Sequence, residues 1–65
     1  MEFQLLRFNS RRQLRGAPAA EVSVDGVALW MTRSDIRKNI RDHGEHPELW
    51  KAMEAYDSGQ DYSLR

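Results

Sequence analysis

Asp25-Gly26, set between V-S-V and V-A-L-W-M, constrains the fold of this chain more than any other stretch. Asp-Gly is a preferred dipeptide for a two-residue type I′ turn, where both central residues need positive φ, and strand-like neighbours turn it into a hairpin. The turn dictates a register: Val24 with Val27, Ser23 with Ala28, Val22 with Leu29, Glu21 with Trp30. Side chains alternate along a strand, so Val22, Val24, Val27, Leu29 and Met31 share the expected core face. Glu21, Ser23, Ala28 and Trp30 share the other face. The hairpin runs directly into a helix, with Thr32 placed to cap it and Asp35 completing an Asp version of the capping box.

Helical periodicity then turns Ile36 and Ile40 inward, with His43 near the same stripe, and leaves Arg33, Arg37, Lys38 and Arg41 on a basic flank. Arg33, Arg37 and Arg41 recur every fourth residue and repel one another unless carboxylates lie beside them. Gly44 ends this helix, and Pro47 with Glu48 opens a second, whose inward stripe is Leu49, Ala52, Met53 and Tyr56. Trp50 falls on the shoulder of that stripe, and Gly59 closes the helix.

Upstream, residues 1–8 read as a strand with Phe3 and Leu5 on one side and Leu6 and Phe8 on the other, so both faces need cover. Residues 9–19 contain Asn9, Ser10, Gly16 and Pro18 as breakers and read as a basic loop. Residues 59–65 read as a polar tail anchored by Tyr62 and Leu64. The expected architecture is one α+β domain over residues 1–65. It has a small three-stranded antiparallel sheet (strand 1–8, hairpin 20–31), followed by two short helices (32–43 and 47–58) packed on one face.

A chain of 65 residues sits near the lower limit for a self-sufficient core, which makes a homodimer or another protein partner a natural expectation. With no cysteine, neither disulfides nor a thiolate zinc site can staple it, and a reducing cytoplasm is the expected compartment. No apolar run reaches the length of a signal h-region or a membrane span. The formal charge is zero but segregated: residues 1–41 carry eight basic and four acidic side chains, residues 42–65 two basic and six acidic. Such asymmetry bears on partners and steering.

Asp42, His43, Glu45 and His46 are the one cluster with metal-ligand chemistry, but the two histidines straddle Gly44 and no single helix face presents both. No metal and no cofactor are expected. There is no cysteine nucleophile, no G-x-S-x-G and no glycine-rich phosphate loop, so an enzyme is not expected either. The helix-glycine-helix pattern is a poor helix-turn-helix, since its second helix opens on Pro47 and Glu48 where groove contacts need donors.

Two surfaces remain as candidates. Trp and Arg most often anchor protein interfaces, and Trp30, Arg33, Arg37 and Trp50 are the expected partner-binding residues. The alternative is phosphate gripping by Arg11, Arg12, Arg15, Arg37 and Arg41, without base readout. The segment V-A-L-W-M-T-R-S-D-I-R-K-N-I-R-D-H-G-E-H-P-E-L-W-K-A-M-E-A-Y resembles stretches of small uncharacterised proteins encoded by phages and prophages, over about half the chain. The resemblance implies a compact accessory protein that binds and redirects a host protein, and it transfers no functional residue.

Overall fold

Two turns of the same kind build the sheet. Asp25 and Gly26 have φ of 51° and 88°, as the sequence predicts, and Arg15 and Gly16 repeat the pattern at 51° and 80°. The computed structural model describes residues 1–64. Its elements are β1 (Phe3–Leu14), β2 (Ala17–Val24), β3 (Val27–Met31), α1 (Arg33–His43), α2 (Pro47–Ser58) and β4 (Tyr62–Ser63). The sheet is antiparallel with strand order β3-β2-β1-β4.

The strand layout corrects three expectations. The sheet has four strands rather than three. Most of the expected loop 9–19 is strand, because the Arg15-Gly16 turn folds β1 back onto β2. The tail is tied down in part: Tyr62 pairs with Phe8 and Ser63 with Arg7, and the Leu64 N–H donates to the Leu6 carbonyl at 2.9 Å.

Pro18 does not break β2, and the register explains why. The two-residue turn makes Val24 and Val27 a hydrogen-bonded pair, so even-numbered residues of β2 aim their backbone groups at β3. β3 ends at Met31, opposite Ala20, and Pro18 lies beyond it, where a missing N–H costs no ladder bond.

β1 departs from simple alternation. Leu5 pairs with Val22 and Arg7 with Glu21, leaving Leu6 unmatched in a β-bulge. The extra residue resets the alternation, so Phe3, Leu5 and Phe8 are all buried on one face. The expectation that Leu6 and Phe8 share the face opposite Phe3 and Leu5 is thereby overturned. A second irregularity spans residues 10–12, where the Asn9 side-chain carbonyl accepts the Arg11 N–H at 2.9 Å and Asp61 accepts the Ser10 N–H at 2.9 Å. That second bond holds the Asp61 carboxyl below the usual carboxylate range.

Both helices lie on the face bearing Val22, and the core gathers Phe3, Leu5, Phe8, Ala20, Val22, Met31, Ile36, Leu49, Ala52 and Met53. Thr32 caps α1 as expected, with the reciprocal Asp35 bond to the Thr32 N–H at 3.0 Å. That N–H, before the Thr32 hydroxyl and the Arg15 guanidinium, keeps the Asp35 carboxyl below its ordinary pKa. His46 takes the N-cap position of α2. His43 and His46 pack near Phe3, with ring centroids 6.0 and 4.7 Å away. The hairpin register is as predicted, yet Val27 and Leu29 are 60% and 46% exposed on the covered face, because α2 lies over β1 and β2 and the helical layer leaves that end of β3 uncovered.

Candidate functional site

The four expected partner-binding residues do not converge. Trp30 pairs with Glu21 on the face of the sheet away from the helices, since the adjoining pair Val22 and Leu29 is on the covered face. Its ring is half-buried, with the Arg12 guanidinium 4.3 Å above the centroid, a cation–π stack. Arg7 pairs with Glu21 at 3.1 Å, and Glu21 alternates with Ser23 on that face. Ala19 belongs to the same face and is fully buried without joining the core, so this side carries a thin apolar layer of its own.

The other three gather on the helical layer. Arg33, at the start of α1, pairs with Asp57, near the end of α2, at 3.1 Å, which sets the two helices antiparallel and marks the flank of α2 that faces α1. Trp50 precedes Asp57 by about two turns and therefore lies on that same flank, 47% exposed. Arg37 follows Arg33 by about one turn along α1, exposed. Among the described residues Arg37 and Lys38 have no ion-pair partner, whereas Arg41 has its neighbour Asp42 at 3.7 Å. The acidic half thus neutralises the start of the arginine stripe and leaves its middle bare.

The alternative phosphate set is scattered. Arg12 lies over Trp30 on the open face, Arg11 is near Asp61, Arg15 at the hairpin tip is tied to Asp35, and Arg37 and Arg41 are on α1. No three His, Cys, Asp or Glu side chains among the described residues come together as metal ligands. A concavity of about 610 Å³, open to solvent, runs past Phe3, His46, Glu48 and Lys51. Glu48 and Lys51 in its wall neutralise each other at 3.2 Å, which raises the Lys51 pKa, the Glu48 hydrogen bond acting first.

Two polar ties that sequence reasoning did not find lock the helical layer onto the sheet. Glu48 accepts the Leu5 N–H at 3.0 Å, a donor on the side of β1 that the short β4 does not reach. The Tyr56 hydroxyl reaches the carbonyls of Pro18 and Met31, at the place where β2 outruns β3. Burial, before any other influence, pushes that hydroxyl up to about 12. The outrun carbonyl was inferable from the register; the tyrosine that serves it was not.

No described helix is long and apolar enough to cross a membrane. Family models, curated proteins and solved structures yield no match to this chain.

Proposed function

We propose that the protein is a non-catalytic protein-binding module whose contact surface is the helical layer around Trp50 and Arg37, bordered by Arg33. Trp50 carries this reading. It is 47% exposed beside a helix whose own arginine lacks a carboxylate, while the core of Leu49, Ala52 and Met53 closes without it. An exposed tryptophan on one helix and an arginine with free donors on the helix packed beside it are the chemistry of an interface anchor. The partner surface that suits them offers an apolar pocket rimmed by carboxylates. A host protein met by a phage-encoded accessory factor is the setting that the sequence resemblance implies. Trp30 and Arg12 belong to a separate surface.

The test is affinity capture from a lysate of the cells that make the protein, comparing wild type with Trp50→Ala and Arg37→Glu, each shown by thermal melting to stay folded. A protein held by wild type and lost by both variants supports the reading. If both variants keep everything that wild type captures, the reading is wrong.

A further inference from the structure

The edge strand β3 carries an interaction surface that the helical layer does not use. Edge strands in soluble proteins are blunted by shortness, by lysine or proline, or by bulges. β4, the other edge, is only two residues long. β3 is V-A-L-W-M, five residues with no charge, no proline and no bulge. Val27, Leu29 and Met31 aim their backbone groups at β2, so those of Ala28 and Trp30 point out of the sheet.

We infer that β3 pairs antiparallel with β3 of a second copy of this chain, about a two-fold axis through Leu29. This register opposes Ala28 to Trp30 of the second copy and Trp30 to its Ala28, both as hydrogen-bonded pairs. All outward N–H and C=O groups of both strands are then satisfied. Shifting the pairing to centre on Ala28 or on Trp30 pushes one outward residue past the end of the strand. Side chains fit the same axis. On the open face each Trp30 ring meets the small Ala28, and on the covered face Leu29 meets Leu29, flanked by Val27, the side chains the helices leave exposed.

The strand pair is small. A stable interface takes about 800 Å² from each partner, roughly a fifth of the 4466 Å² this chain exposes. A short strand offers less, so the dimer dissociates in the micromolar to millimolar range. Sedimentation equilibrium of the full chain tests this, with Leu29→Lys, which opposes two like charges at the axis, and Ala28→Pro, which removes an outward donor without touching the β2 ladder. Circular dichroism confirms that each variant keeps its fold. The expected result is a concentration-dependent dimer whose dissociation constant rises at least about tenfold in both variants. A dimer unchanged by both variants overturns the inference. So does a wild type that stays monomeric to about 1 mM, which leaves the edge to a strand from another protein.

Discussion

The two faces of the sheet differ less in composition than in what lies above them. On the covered face two helices bury Leu5, Val22, Ile36 and Leu49 almost completely, yet Val27 and Leu29 on that face are exposed. On the open face no described element lies above the strands, yet Ala19 is fully buried and Arg12 stacks on Trp30. Alternation assigns a residue to a face; burial is decided by the reach of the layer above it. In a sheet this small, most of the stability resides where the helices reach, and the Arg12–Trp30 stack supports one corner.

That contrast can be broken most directly in the core. Leu49→Ala or Ile36→Ala removes a fully buried side chain from the covered face and should cost about 2–5 kcal/mol in urea unfolding, enough to leave a domain of this size largely unfolded. A cost below about 1 kcal/mol would show that the helices do not carry the fold.

Next in size is Tyr56→Phe, which leaves the carbonyls of Pro18 and Met31 without the hydroxyl and should cost about 1 kcal/mol. The pH dependence has a definite sign. The folded-state pKa is raised from 10.0 to about 12, so the phenol's contribution is intact below pH 10 and is lost as pH rises toward the folded value. Wild-type urea midpoints should therefore fall more steeply above pH 10 than those of Tyr56→Phe. Parallel curves would mean that the hydroxyl is not buried.

Arg12→Ala tests the open face and should cost about 0.5–1 kcal/mol, with a red shift of Trp30 emission measured in a Trp50→Phe background. An unshifted spectrum would remove Arg12 as the cover of that ring. Smallest of all is Val27→Ser, expected within about 0.5 kcal/mol of wild type in dilute solution although Val27 lies on the covered face. A core-sized loss would mean that the helices extend over β3 after all.

Features set by a few adjacent residues were legible in the sequence. The Asp25-Gly26 register, the Thr32–Asp35 cap and the ends of α2 at Pro47 and Gly59 all follow from local chemistry. The flank position of Trp50 follows from helical angle alone. Arginine is not a residue that favours positive φ, so nothing marked Arg15-Gly16 as a second hairpin turn. The Leu6 bulge left no trace either, since F-Q-L-L-R-F fits both an alternating strand buried on two sides and a bulged strand buried on one. The two-residue β4 exists only through its pairing with β1. For the candidate site, the register placed Trp30 on the open face, but Arg12 reaches it through the irregular segment 10–12, whose shape depends on Asp61 from far along the chain. The exposure of Val27 and Leu29 depended on where the helices came to rest.

The strand order has a consequence for how the protein folds. β1 is central, flanked by the strand that follows it at once and by the one that arrives last. The β1-β2-β3 meander closes through two tight turns and needs only local pairings, but Phe3, Leu5 and Phe8 stay uncovered until Leu49, Met53 and Tyr62 pack on them. A chain whose meander has closed before α2 docks therefore displays an apolar sheet, and that interval is when a chaperone, or a second folding chain, has its opening.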